Sequence, residues 1–152
     1  MQKDLKPVGL KYTDLTKKAL EICWEAHKNQ FDKSGMPYVF HPFHLMEQME
    51  TEEEICVALL HDVVEDSEMS FEDLAEAGFP KPVLEALQLM THNENEPYLD
   101  YVRRLKDHPI ARKVKLADLK HNSTLERLSY VTDRDLIRYE KYQIAIGILT
   151  EE

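Results

Sequence analysis

The segment Ile55-Cys56-Val57-Ala58-Leu59-Leu60 constrains this chain more than any other, because six consecutive apolar residues leave a helix no polar face. Such a helix has to be buried on all sides. Thr51 with Glu54 three residues later is a capping box, so the spacing predicts a helix over residues 52–66. Its end reads His61-Asp62-Val63-Val64-Glu65-Asp66. On a continuous helix, at ~100° per residue, the four polar side chains fall within an arc of about 140°, with the two valines facing away. Polar groups therefore converge where the core should be.

The remainder also reads as helix. Thr13 or Asp14 caps a helix with apolar positions Leu15, Ala19, Leu20, Ile22, Cys23 and Ala26, ending near Asn29. Ser34-Gly35-Met36-Pro37 is turn chemistry, and a short helix starts at Pro42. Further helices are expected over residues 71–77, 82–90, 97–106, 109–127 and 133–148, the first of these opened by Ser70 and Asp73. No run alternates with period two for long enough to support a sheet. The class is all-α, a single compact multi-helix domain over residues 1–152.

Composition narrows the function. The longest apolar run is far short of the ~20 residues a membrane span requires, and residues 1–10 contain no signal-peptide core, so a cytoplasmic protein is expected. Cys23 and Cys56 are the two cysteines, both in apolar stretches that suit reduced core residues. A formal net charge of −10 argues against a DNA or RNA polymer or an anionic membrane as partner. The charge is segregated: residues 47–76 hold twelve acidic residues and no Lys or Arg, whereas residues 103–120 hold seven basic and two acidic ones. These are either solvated helix faces or, if the fold joins them, a cation-binding wall facing an anion-binding wall.

Buried carboxylates with no cation nearby in sequence repel one another. Two compensations are open for Asp62, Glu65 and Asp66: a cationic side chain from another helix, or a divalent metal, for which the His61 imidazole and the Asp62 carboxylate are natural ligands. His41 follows Tyr38-Val39-Phe40 at the entry to the short helix. Lys115, Asp118 and Asn122 share one stripe of a later helix by their three and four spacing. His41, His61, Asp62 and Asp118 make a set of two nitrogen and two oxygen ligands. His44, His92 and His108 read as surface residues, His27 as a favourable cation at a helix C-terminus, His121 as a support of the site, and Tyr98 and Tyr101 as core packing.

At these residues the chain resembles a known family. The order His41, His61-Asp62, Asp118 is the pattern of the HD-domain metal-dependent phosphohydrolases. With it come Ala26-His27, Lys33-Ser34-Gly35-Met36-Pro37-Tyr38, Leu59-Leu60-His61-Asp62-Val63-Val64-Glu65-Asp66 and Lys115-Leu116-Ala117-Asp118 followed by His121-Asn122. Together they are similar to the guanosine 3′,5′-bispyrophosphate (ppGpp) hydrolase domain of the RelA/SpoT homologue family, especially its small single-domain hydrolases. The likeness runs from about residue 15 to 130, and no synthetase or regulatory region is expected to follow.

The resemblance implies a Mn2+ ion, or another divalent metal, held by His41, His61, Asp62 and Asp118, with Glu65 and Asp66 beside the attacking water. It also implies a small anionic nucleotide substrate whose pocket is lined by Lys33, Ser34, Tyr38 and Asn122; Lys115 joins these from the shared stripe. Three positions depart from the pattern. Asp32 stands where the family has an Arg packed over guanine, Leu119 replaces an Arg after the metal-binding Asp, and Ser67 replaces a Thr. A carboxylate cannot stack as a guanidinium does, so Asp32→Arg is expected to improve nucleotide affinity, and the basic segment 103–120 is expected to supply the missing positive charge.

Overall fold

The computed structural model describes residues 11–151; residues 1–10, on which the signal-peptide expectation falls, lie outside them. Among the described residues the chain forms α1 (Asp14–His27), α2 (Phe40–Glu47), α3 (Glu52–Leu60), α4 (Val63–Asp66), α5 (Phe71–Glu76), α6 (Lys81–Met90), α7 (Tyr98–Leu105), α8 (Pro109–Asn122) and α9 (Asp133–Thr150). A 3₁₀ turn at Leu125–Arg127 joins α8 to α9. Extended pairing among the described residues is confined to one bridge between Phe31 and Pro37. The all-α class expected from the sequence is the one observed.

Side-chain caps set where these helices begin. Thr13, Thr51, Ser70 and Thr132 each accept the backbone N–H three residues on, and the side chain there bonds back to the cap's own N–H. At α8 the His108 ring accepts the Ala111 N–H at 3.2 Å, while Pro109 occupies the first turn, where no donor is needed.

Helix α3 is the centre of the molecule. Ile55 to Leu60 are each at most 1% exposed, and α1, α2, α6 and α8 pack around them. Full burial of a Val, Leu or Ile side chain contributes about 1.5–3 kcal/mol. Cys23 and Cys56 are free and buried, as the apolar pattern predicts, and burial pushes each thiol up to about 12.

Most boundaries fall within two residues of expectation, α2 opening at Phe40 rather than Pro42, and two differ by more. The predicted helix 52–66 is broken at His61 and Asp62, where Asp62 has φ −107° and ψ 0°. The His61 Nδ1–H donates to the Ala58 carbonyl at 2.7 Å, and that carbonyl is the one a continuous helix would give to the Asp62 N–H. The predicted helix 109–127 stops at Asn122, and the chain tightens into the 3₁₀ turn instead.

Candidate metal centre

The break after α3 turns His61 and Asp62 towards side chains from α2 and α8. Candidate donor atoms of His41, His61 and Asp62 all lie within 4.8 Å of one another. Asp118 on α8 approaches the same group: its Oδ1 is 2.8 Å from His41 Nε2 and 3.6 Å from His61 Nε2. Its Oδ2 pairs with Lys115 Nζ at 3.0 Å, and Asn122 Nδ2 donates to Oδ1 at 3.0 Å. Asp118 is thus shared between the cluster and a lysine.

His61 decides what the cluster suits. Because a carbonyl only accepts, the proton sits on Nδ1 and a neutral ring points its Nε2 lone pair inward. That Nε2 is buried without a hydrogen-bond partner, although Asp62 Oδ2 stands 3.0 Å away. A lone pair facing two carboxylates is repulsive unless a proton or a cation lies between them. Burial disfavours a charged ring, yet Asp62 and Asp118 outweigh it and hold His61 well above the usual histidine range. Burial raises Asp62, but His61 and the Tyr38 hydroxyl outweigh this and bring it to about 2. Two imidazole nitrogens beside carboxylate oxygens, in a pocket that demands positive charge, fit a divalent cation.

The surrounding residues brace this group. Tyr38 donates its hydroxyl to Asp62 Oδ2, and the buried His27 ring packs against Tyr38 at 4.9 Å. His41 Nδ1 lies 2.6 Å from His121 Nδ1, and burial, with Arg127 nearby, lowers His121 to about 3. His44 is exposed and stacks on His121 at 4.1 Å. Glu65 and Asp66 are exposed on α4, where partial burial and the Asp62 charge raise both above the ordinary carboxylate range. Lys115 reaches Asp118 with a side chain only 13% exposed and lies over the Tyr101 ring at 5.3 Å. Burial opposes its charge, but Asp118 more than offsets that and holds Lys115 above the usual lysine range. Tyr101 is core, as expected.

A cavity of about 390 Å³ adjoins the cluster through Tyr38 and Asn122, and Lys33 and Ser34 also line it. Lys115 does not line it; its ammonium is committed to Asp118. Loop 31–37 is shaped by Gly35 at φ +81° and by Asp32, whose Oδ1 accepts the N–H groups of Ser34 and Met36 at 2.8 and 3.0 Å. Asp32 is therefore an anchor of the loop. Ser34 Oγ donates to the Arg127 carbonyl at 2.7 Å.

No family model matches the chain. It is 35% identical over 111 residues to the guanosine-3′,5′-bis(diphosphate) 3′-pyrophosphohydrolase MESH1 of Danio rerio, a match covering 64% of this chain and 61% of that protein. It is 32% identical over 129 residues to the guanosine-3′,5′-bis(diphosphate) 3′-pyrophosphohydrolase of Spiroplasma citri, covering 75% of this chain and 17% of that protein. A solved structure described as a metazoan ortholog of SpoT that hydrolyzes ppGpp superposes with TM-score 0.70 at 23% identity, over 91% of this chain and 84% of the other. In sequence and in fold the chain resembles a ppGpp-hydrolase domain of the HD type. The chain spans about three fifths of the Danio relative and about a sixth of the Spiroplasma one.

The cavity's positive charge does not come from segment 103–120. Arg103, Arg104, Lys106 and Lys113 pair with Asp100, Glu96, Glu151 and Glu54, and Arg112 donates to the Leu149 carbonyl. The acidic and basic segments do meet, at Lys113 with Glu54 and Glu50, but they make a surface ion pair. The cavity cations are Lys33, Arg127 and Arg138, and Tyr139 and Tyr142 form part of its wall. Arg127 and the α9 residues carry no spacing signal in the sequence; the fold alone brings them to the site.

Proposed function

We propose that this protein is a cytoplasmic Mn2+-dependent hydrolase that removes the 3′-pyrophosphate of ppGpp or a closely related nucleotide. The observation carrying the reading is the buried, partnerless His61 Nε2 facing Asp62 and Asp118 beside the cavity. The likeness to ppGpp pyrophosphohydrolases over 64% of the chain supports it. Among the described residues no helix is long and apolar enough to cross a membrane.

In this reading His41, His61, Asp62 and Asp118 hold the ion. A divalent cation held there would lower the pKa of a water and offset charge on the attacked phosphoryl group. Glu65, raised above the ordinary carboxylate range by burial and the Asp62 charge, orients and deprotonates the attacking water, and Asp66 supports it. The water oxygen bonds to the phosphorus attached to the 3′ oxygen as that P–O bond breaks, and the proton taken by Glu65 passes to the 3′ oxygen, so that pyrophosphate and guanosine 5′-diphosphate are released. Lys33, Ser34, Tyr38 and Asn122 line the nucleotide site, and Lys115 acts on substrate only through Asp118.

One observation favours a second reading, an HD phosphohydrolase acting on another nucleotide. Asp32 is an anionic loop anchor in the cavity wall, so the wall at that position offers no cation to a bispyrophosphate. The experiment is pyrophosphate release from ppGpp with manganese, with and without chelator, beside a panel of plain nucleotides. Chelator-sensitive release from ppGpp supports the first reading; turnover of a plain nucleotide but not of ppGpp replaces it with the second.

A further inference from the structure

Each of the three cavity cations stands against a carboxylate at more than hydrogen-bond distance. Arg127 Nη2 is 3.6 Å from Asp32 Oδ2, Arg138 Nη1 is 3.6 Å from Asp135 Oδ1, and Lys33 Nζ is 3.7 Å from that same Asp135 oxygen. Arg127 is the most firmly held. Its Nη1 donates to the His121 carbonyl at 2.9 Å, and its side chain is 27% exposed, against 56% for Lys33. The Asp32 carboxylate facing it is itself fixed by two backbone N–H groups.

A guanidinium braced in this way keeps its flat face and most of its five donors, while the adjacent carboxylate cancels much of its field. Such a group suits a neutral partner better than a polyphosphate. Nucleobases are neutral, and their edges and faces match a guanidinium, either through two acceptors on a purine edge or by stacking. The cavity that Arg127 lines also has an apolar and aromatic share of wall, in Phe31, Leu125, Leu128 and Tyr139. Lys33 and Arg138, which share one carboxylate, are left for the phosphates.

We propose that Arg127 is the specificity-determining residue of the cavity, contacting the nucleobase, and that Asp32 is its positioning residue. The inference rests on the nucleotide reading above and adds to it which side chain reads the base.

The test is NMR titration of the manganese-loaded protein with guanosine 5′-diphosphate and with uncharged guanosine, alongside ppGpp hydrolysis by the unsubstituted protein. Arg127→Ala is expected to weaken both ligands by about the same factor, on the order of tenfold, as befits a lost cation–base contact. Arg127→Lys, which keeps the charge, restores neither. Asp32→Asn keeps an acceptor for the loop; it weakens binding by a smaller factor, and that loss disappears in the Arg127→Ala background. A loss confined to the diphosphate, rescue by Lys, or independent effects at 32 and 127 overturns the proposal, as does an unsubstituted protein that binds no guanosine. Hydrolysis separates the two failures. Turnover of ppGpp with base binding indifferent to Arg127 removes this inference alone, whereas Arg127-dependent base binding without turnover removes the hydrolase reading alone.

Discussion

Lys115 and Glu65 both carry charge close to Asp118 and Asp62, with opposite consequences. Lys115 neutralises a carboxylate that is otherwise met only by imidazoles and an amide, and removing one partner of a buried pair leaves the other uncompensated. Lys115→Met is expected to destabilise the protein by about 2 kcal/mol, read by urea denaturation without added metal. A change below a few tenths would mean that His41 and Asn122 suffice for Asp118. Glu65 lies on the short helix after the break, and its raised pKa reflects burial and the Asp62 charge. Glu65→Gln is expected to cut turnover by about 10²–10⁴ while leaving bound manganese unchanged. Near-normal turnover in that variant removes Glu65 as the base. Asp32→Arg now carries the opposite expectation to the one the sequence suggests, because arginine at 32 loses both loop hydrogen bonds and faces Arg127. Its nucleotide affinity should fall in the same titration.

Helix α3 begins with a capping box whose glutamate also holds a distant lysine, so local and tertiary contacts coincide at Glu54. Burial raises the Glu54 pKa, but the N–H groups of Glu50 and Thr51 and the Lys113 ammonium outweigh this and leave it below its ordinary value near 4.5. A depressed folded-state pKa gives stability that is present above the unfolded value and lost as pH falls through the folded one. Glu54→Gln is therefore expected to cost about 1 kcal/mol at neutral pH, with the gap from the unsubstituted protein closing as pH falls below the ordinary glutamate value of 4.5. A gap independent of pH would show that shape, not charge, matters at this cap. The start of α3 was legible because its signals are local: Thr51, Glu54 and the apolar run lie within ten residues. Its end was not, because the break comes from a ring-to-carbonyl bond that no propensity encodes. The same holds for α8. Its apolar pattern continues towards Arg127, yet the chain turns at Asn122 and carries Arg127 to the cavity wall.

Across the whole molecule, residue types at the cluster were readable from sequence and their partners were not. His41, His61, Asp62 and Asp118 stand out as polar residues in apolar surroundings, and the fold brings them together. The charge pattern misled about the cavity: the conspicuous basic segment commits most of its cations to pairs away from the cavity and Lys115 to Asp118, while dispersed ones at 33, 127 and 138 line the pocket. Because the cluster draws on α2, the α3–α4 break and α8, a cation bound there ties three separate parts of the fold, and none of these donors is adjacent in the unfolded chain except His61 and Asp62. Binding to the folded state alone stabilises by about 2.7 kcal/mol when free ligand is a hundredfold above its Kd. Manganese should therefore raise the Tm by several degrees, by about 2–4 °C per kcal/mol for a chain of this size, and chelator should reverse the shift. Asp62→Asn, at a position one quarter exposed, should abolish the manganese shift while folding in its absence. If the shift persists in that variant, the ion sits elsewhere; if the unsubstituted protein shows none, His61 faces its carboxylates as an imidazolium and the cluster is an ion-pair network.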